Sequence, residues 1–326
     1  MARRARWPRA AARGRASGAG SPSPVRPRAA VELRPLGRSG LRVSALGFGA
    51  MHVNDERISE AEAGHLLNAV LDLGVNLIDT ARSYGLSEER IGRHLAHRRQ
   101  QFLLSTKVGY GVEGVPDWSY DCIVLGVERA LRLMHTDVID IVHLHSCPLS
   151  VLQQGEVTRA LLDCQRGGKL RVAAYSGDNA ELDFALQSGA FGSVQTSVSV
   201  CDQVNLNGRL GQAQRLGIGV LAKRPLAGSI WRQPQRPADA AEAAYWDRWQ
   251  RLGLPATLLQ AAGENDWPGL ALRFAAHAPG ISSVLMGTAS LTHLRANLAA
   301  VRRGPLPDGV LARLHRDHSP DWAGMI

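Results

Sequence analysis

The sequence lacks the features that define several large protein classes. It contains no run of 18 or more apolar residues, so we predict that no helix crosses a bilayer. Only four cysteines occur in 326 residues, and none belongs to a C-x-x-C pair. This pattern argues against a disulfide framework and a zinc site, and it is typical of reduced thiols in a cytoplasmic enzyme. The cysteines are Cys122, Cys147, Cys164 and Cys201.

The first 30 residues contain no Asp or Glu but carry eight Arg. Subtracting these eight charges from the net charge of +9 leaves +1 for residues 31–326. A nearly neutral body argues against a nucleic-acid-binding surface, which needs cations clustered on the fold itself. The segment has no apolar stretch of a secretory signal, and Pro22, Pro24 and Pro27 interrupt the amphipathic helix of a transit peptide. We therefore predict a disordered basic extension over 1–30 and one folded domain over 31–326.

Strand-like and helix-like patterns alternate along this body. Short apolar strands with helices between them indicate a parallel sheet covered by helices. Eight such units predict a single (β/α)8 TIM barrel, preceded by a β-hairpin in residues 31–44. Residues 231–266 interrupt the alternation and are predicted to form a long loop with a short helix above the active face. The predicted strands are 44–49, 75–80, 101–108, 138–145, 170–176, 193–200, 218–224 and 281–287.

Ionisable side chains end three successive predicted strands. Asp79, Lys107 and His145 end the second, third and fourth strands, and Tyr84 lies in the loop after the second. Because catalysis in such a barrel occurs at the carboxyl ends of the strands, we expect these side chains to converge. An ammonium beside a phenol favours the phenolate, and an aspartate keeps that ammonium charged. The set is therefore suited to protonate a carbonyl oxygen during reduction, or to perform the reverse.

Some of these residues also have structural interpretations. Asp79 alone fits a helix N-cap, and Ser176 fits a cap at the end of the fifth strand. His143 shares a strand face with His145 and is better explained as a histidine inside the barrel. His52 fits a pocket wall and an exposed loop equally well.

A glycine motif follows the third strand. Residues 109–114, Gly-Tyr-Gly-Val-Glu-Gly, match the dinucleotide-binding pattern GxGxxG. In that motif a helix begins among the glycines, because the pyrophosphate binds its N-terminus. Here Pro116 delays the helix to about Ser119, and the motif would leave Lys107 unexplained. We therefore expect a loop at this position and not a Rossmann unit.

The segment LIDTARSYGLSEERIG (77–92), with STK (105–107) and IDIVHLH (139–145), resembles the aldo-keto reductase family. GFGAM (47–51) and GTASLTHLRANL (287–298) resemble the first and last units of that family. The resemblance implies a (β/α)8 barrel, a nicotinamide cofactor across its carboxyl-end rim, and reversible carbonyl reduction. It further implies that Tyr84 is the general acid and base, that Lys107 and Asp79 tune it, and that His145 orients the substrate.

The resemblance also implies a set of cofactor-binding residues. Ser176 matches the position that binds the carboxamide, but Gly177 replaces the family's Asn, and Asp178 or Asn179 is a candidate substitute. Gly287 and His293 occupy positions where NADP-selective members carry cations, so NADP is expected from family habit while NAD stays open. The complete set is Gly49, Ala50, Met51, Ser176, Gln195, Pro225, Leu226, Gly228, Gly287, Thr288, His293 and Asn297.

We therefore expect a cytoplasmic NAD(P)H-dependent oxidoreductase that acts on an aldehyde, a ketone or a sugar hemiacetal. Neither a nucleic acid nor a membrane is an expected partner, and no metal is expected. A second hypothesis is a cofactor-binding sensor or regulatory subunit with little turnover, as in channel-associated relatives of the family. The sequence alone gives neither the substrate nor the oligomeric state.

Overall fold

A computed structural model describes residues 31–316, 318 and 322–324. The predicted disorder of residues 1–30 lies outside the described residues. The chain begins with an antiparallel hairpin of β1 (Leu33–Pro35) and β2 (Arg42–Ser44). Eight parallel strands then form a closed barrel in the order β10-β3-β4-β5-β6-β7-β8-β9. The predicted (β/α)8 barrel with an N-terminal hairpin is therefore confirmed.

Each barrel strand lies within the range predicted for it. The alternation of apolar runs locates strands well, because buried parallel strands need apolar side chains on both faces. The barrel strands are β3 (Leu46–Gly49), β4 (Leu77–Asp79), β5 (Leu103–Val108), β6 (Ile139–His145), β7 (Leu170–Ser176), β8 (Ser193–Ser197), β9 (Gly219–Lys223) and β10 (Ser283–Gly287).

Helices surround the barrel and cover its apolar outer face. In α1, Ser59 and Glu62 form a reciprocal capping box, which fixes where that helix begins. The helices are α1 (Glu60–Asp72), α2 (Ser87–Leu95), α3 (Tyr120–Leu133), α4 (Leu149–Gln154), α5 (Glu156–Arg166), α6 (Asn179–Gln187), α7 (Arg209–Leu216), α8 (Ala240–Leu252), α9 (Thr257–Ala262), α10 (Trp267–Ala276), α11 (Leu291–Arg302) and α12 (Asp308–Arg316). None of the helices in the described part of the chain is long and apolar enough to cross a membrane.

The segment 231–266 is more helical than predicted. It holds α8, which has 13 residues, and the shorter α9. The Asp239 side chain accepts hydrogen bonds from the backbone of Ala241 and Glu242 and so starts α8. Its buried face then packs into a second apolar cluster that includes Tyr245 and Leu252. This tertiary packing overrides a local composition that suggested a loop.

The hairpin closes the amino end of the barrel. Leu36, Leu41 and Val43 are buried against side chains from inside the barrel, among them Leu77 and Leu221. Gly37 has φ +53°, and a Cβ there would overlap the Gly217 carbonyl oxygen. The apolar plug therefore leaves the carboxyl ends of the strands as the place for a polar site.

Helix α2 approaches α3 closely at Gly92. A Cβ at this position would overlap the Leu133 carbonyl oxygen and lie 2.8 Å from Met134 Cα. Both obstacles are backbone atoms, so a side-chain rotation cannot relieve them.

We expect Gly92→Ala to lower the free energy of unfolding by about 1–3 kcal/mol, because it overpacks this contact. The matched control is Gly309→Ala in α12, where nothing lies within 4 Å of the added Cβ. The control should be neutral or slightly stabilising, because Ala has the higher helix propensity. Urea denaturation measures both variants, and equal stability of the two would contradict the close helix contact.

Candidate active site

A cavity of about 680 Å³ opens at the carboxyl ends of the barrel strands. Its wall contains Asp79, Tyr84 and His145, and the buried Lys107 contacts Asp79 directly. The strands end in different polar side chains, so the closed barrel brings together residues that are far apart in the chain. The four predicted catalytic residues therefore lie together in the structure.

Asp79 and Lys107 form a buried ion pair. Lys107 Nζ donates to Asp79 Oδ2 at 2.6 Å and to the Thr80 carbonyl oxygen at 2.7 Å. Ser105 Oγ donates to the other carboxylate oxygen of Asp79 at 2.7 Å. Burial alone lowers the pKa of Lys107, but the charge and hydrogen bond of Asp79, with a contribution from Tyr84, outweigh it and raise that pKa. Lys107 is therefore an ammonium at neutral pH.

Tyr84 lies directly above this ion pair. The Lys107 ammonium is 5.0 Å from the centre of the Tyr84 ring. The loop that carries Tyr84 is held at its end by Ser87, whose hydroxyl accepts from Thr80 and donates to the Ala50 carbonyl oxygen. The phenol is therefore placed beside a charged ammonium by a short and well-anchored turn.

His145 ends β6 and is largely buried in the same cavity. Burial lowers its pKa to about 3, helped by the positive charges of Lys107 and Lys223. The imidazole is therefore neutral at physiological pH. Its ring meets the Tyr84 ring edge to face, with 6.3 Å between the centres. His143 is fully buried inside the barrel, as expected, and burial lowers its pKa to about 4.

Eight of the twelve predicted cofactor residues line this cavity. Ser176 Oγ donates to Gln195 Oε1 at 3.0 Å, and Gln195 Nε2 is buried with no hydrogen-bond partner among the described residues. Most of the remaining set lines the same cavity as these two: Gly49, Met51, Pro225, Leu226, Gly228 and Gly287.

The other four predicted cofactor residues are not part of that cavity wall. Ala50 is buried in the short helix after β3, and Thr288 Oγ1 accepts from the Ser290 amide. His293 is exposed in the first turn of α11. Asn297 lines a smaller cavity of about 200 Å³, and its Nδ2 has no hydrogen-bond partner in the described part of the chain.

The candidate substitutes for the missing Asn are occupied elsewhere. The Asp178 carboxylate accepts hydrogen bonds from Thr196, Ser197 and Asn205 and is fully buried. The Asn179 amide exchanges hydrogen bonds with the backbone of Gly324. Neither side chain lines the cavity at the barrel rim.

The sequence profile of the Aldo/keto reductase family matches residues 45–316. The chain belongs to this family. L-galactose dehydrogenase of Arabidopsis thaliana is 28% identical over 293 residues, which cover 83% of this chain and 88% of that protein. The 6-dehydroglucose reductase of Novosphingobium aromaticivorans is 30% identical over 225 residues, which cover 64% and 74%. An aldo-keto reductase of Bacillus halodurans, solved in a holo form, has a TM-score of 0.74 at 26% identity, covering 89% and 97%.

Lys223 is a further cavity residue of this aldo-keto reductase that the sequence analysis missed. It ends β9 and lines the cavity, and its Nζ lies 3.1 Å from Asp178 Oδ2. Burial lowers its pKa, although Asp178 opposes the shift. The signal was present in the sequence, because Lys223 ends a predicted strand as Lys107 and His145 do. It is also one of only three lysines in the chain.

The ion pair gives a test of this site that does not depend on activity. In Asp79→Asn, the Lys107 ammonium stays buried without its counter-ion, which should cost about 3–5 kcal/mol of unfolding free energy. The double variant Asp79→Asn/Lys107→Met removes the buried charge and should recover much of that loss. Urea denaturation at pH 7 measures both.

The same pair predicts a dependence on alkaline pH. The folded-state pKa of Lys107 lies above its unfolded value of about 10.4. The stabilisation is therefore complete below that value and is lost as the pH rises through the folded-state pKa. The double variant Asp79→Asn/Lys107→Met should not lose stability over this pH range. An Asp79→Asn variant as stable as the parent protein at pH 7 would contradict the buried pair.

Proposed function

We propose that this chain is a nicotinamide-dependent oxidoreductase that interconverts a carbonyl and an alcohol on a sugar or a small aldehyde or ketone. The observation that carries the proposal is the buried Asp79–Lys107 pair beneath the Tyr84 phenol, with the neutral His145 on the same cavity. Family membership supports an oxidoreductase. Two relatives whose names denote sugar oxidoreductases, together with polar side chains such as Ser146 and Glu242 in the cavity wall, support a hydroxyl-rich substrate.

The residues present fit a nicotinamide nucleotide. Gln195 Nε2 is a buried donor without a partner among the described residues, and it lies beside the Ser176 hydroxyl in the cavity wall. A carboxamide oxygen would satisfy this donor, since buried polar groups are normally hydrogen-bonded. Asn297 offers a second buried donor of the same kind at the smaller cavity. A bound nicotinamide supplies or accepts the hydride of the reaction.

The chain's own residues then transfer the proton and stabilise the charge that develops. Tyr84 protonates the carbonyl oxygen during reduction and removes the proton during oxidation. Lys107 stabilises the phenolate that remains, and Asp79 keeps Lys107 charged and in place. His145 cannot act as a cation at neutral pH, so its part is to hydrogen-bond the substrate oxygen.

NADP is the cofactor that family habit favours, and NAD is the alternative. Gly287 offers no charge to a 2′-phosphate, and His293 is an exposed imidazole. Separate titrations with NADPH and NADH, followed by quenching of tryptophan fluorescence, decide between them.

A regulatory role with slow turnover is less favoured, because a rice protein named a probable potassium channel subunit beta matches only 40% of this chain.

We expect Tyr84→Phe to reduce kcat for carbonyl reduction by about 10²- to 10⁴-fold, because the general acid is lost. Binding of the nicotinamide nucleotide should be unchanged. The matched control is Tyr120→Phe, which removes a phenol that bonds Asp163 far from the cavity. The assay follows cofactor consumption with a panel of aldoses and small aldehydes. Undiminished kcat in Tyr84→Phe would refute the assigned role.

We expect Gln195→Met to raise the Kd for the nicotinamide nucleotide by about 3- to 10-fold, because one buried hydrogen bond is lost. Gln214→Met on the exposed face of α7 is the control and should leave Kd unchanged. Fluorescence quenching measures both values. Equal affinity in the two variants would remove Gln195 from the cofactor site.

A further inference from the structure

The glycine motif after β5 forms a loop that positions a tyrosine. Gly109, Gly111 and Gly114 have φ values of +142°, +70° and +78°, which favour glycine. A Cβ on Gly109 would overlap the Trp118 indole, and the Trp118 amide donates to the Gly109 carbonyl oxygen at 2.8 Å. The loop therefore folds back on Trp118, and Tyr110 lies at its turn.

Tyr110 is held from several sides. Arg82 Nε donates to its carbonyl oxygen at 3.0 Å. Its ring contacts Trp118 edge to face, with 5.8 Å between centres. Its other neighbour is His145, on which it stacks with 5.6 Å between centres and 25° between planes. Tyr110 is not among the residues that line the cavity, so its effect on the site passes through His145.

The Tyr110 hydroxyl has one proton and two neighbours. It lies 2.7 Å from His145 Nδ1 and 3.3 Å from Ser83 Oγ. The 3.3 Å contact with Ser83 is longer than an ordinary O–H···O hydrogen bond, so it is a weak competitor for the phenol proton. The 2.7 Å contact with Nδ1 is short for an N–H donor and typical of a hydroxyl donor, which favours donation from Tyr110 to Nδ1. A neutral imidazole that accepts at Nδ1 carries its proton on Nε2.

We propose that Tyr110 is a positioning residue that fixes His145 in the tautomer protonated at Nε2. The imidazole then presents an N–H donor to the cavity that His145 lines. The catalytic consequence rests on the proposed function: this donor stabilises negative charge that develops on the substrate oxygen. The tautomer itself does not depend on the reaction, so the two claims are separable.

The first measurement uses the full-length protein without nucleotide or substrate. Labelling with 15N-histidine and long-range 1H–15N correlation shows which imidazole nitrogen carries the proton, and His145→Asn identifies the signals of His145. We expect a protonated Nε2 and a bare, hydrogen-bonded Nδ1 in the parent protein. Tyr110→Phe keeps the ring but removes the hydroxyl, and we expect its Nδ1 signal to move toward a mixture of tautomers. Ser83→Ala should keep the parent pattern.

The second measurement is the rate of carbonyl reduction. We expect Tyr110→Phe to lower kcat about tenfold with little change in KM, which corresponds to about 1.4 kcal/mol in the transition state. A protonated Nδ1 in the parent protein would overturn the proposal even if Tyr84→Phe is inactive. A parent-like spectrum and kcat in Tyr110→Phe would also overturn it. Loss of the proposed function alone appears instead as a parent protein with the Nε2 tautomer and no turnover.

Discussion

The buried pair of Asp79 and Lys107 is the interaction on which the rest of the site depends. Removing an ammonium from water costs several kcal/mol, and the protein offsets this cost only with a carboxylate in direct contact and further acceptors. Here the Thr80 carbonyl oxygen is the second acceptor for Lys107, and the Ser105 hydroxyl donates to the other carboxylate oxygen of Asp79. Once this pair is in place, the Tyr84 phenol lies beside a cation, and the charge of Lys107 adds to burial in lowering the pKa of the nearby His145.

Two ammonium groups lie at the rim, beside Arg224 in the cavity wall, in a chain that otherwise uses arginine. Two of the three lysines, Lys107 and Lys223, lie at this cavity, whereas the chain has 35 arginines. An ammonium is a compact point charge, and it fits among strand ends where a planar guanidinium would need more space and more acceptors. Both ammonium groups are fixed by aspartates before any substrate arrives, so little reorganisation is needed when negative charge develops.

The barrel and the meeting of the four predicted catalytic residues could be predicted from the sequence, because both depend on local patterns along the chain. Apolar strands recur at regular intervals, and a polar residue at a strand end lies at the rim of any parallel barrel. Lys223 obeys the same rule and was predictable. The pairing of Ser176 with Gln195 follows from the register of β7 and β8, where the two residues are opposite each other. That register is set by packing around the closed barrel, so it cannot be predicted from the sequence of either strand alone.

The position of Tyr110 and the formation of α8 could not be predicted from the sequence, for a different reason. The path of the 109–114 loop is set by contact with the Trp118 indole, and a glycine pattern does not specify which aromatic ring it will meet. Helix α8 is stabilised by a second apolar cluster assembled from distant segments. Both features arise from tertiary contacts between loops, which vary more freely than the strands that support them.

The apolar hairpin at the amino end has a kinetic consequence. Because Leu36 and its neighbours fill that end of the barrel, the cavity at the carboxyl ends of the strands has no passage through the amino end within the described residues. If a nicotinamide nucleotide and a substrate bind together in this cavity, as proposed, each obstructs the path of the other. The molecule bound closer to the barrel axis then has to bind first and leave last. This order of binding and release follows from the shape of the cavity and requires no coupling between distant parts of the protein.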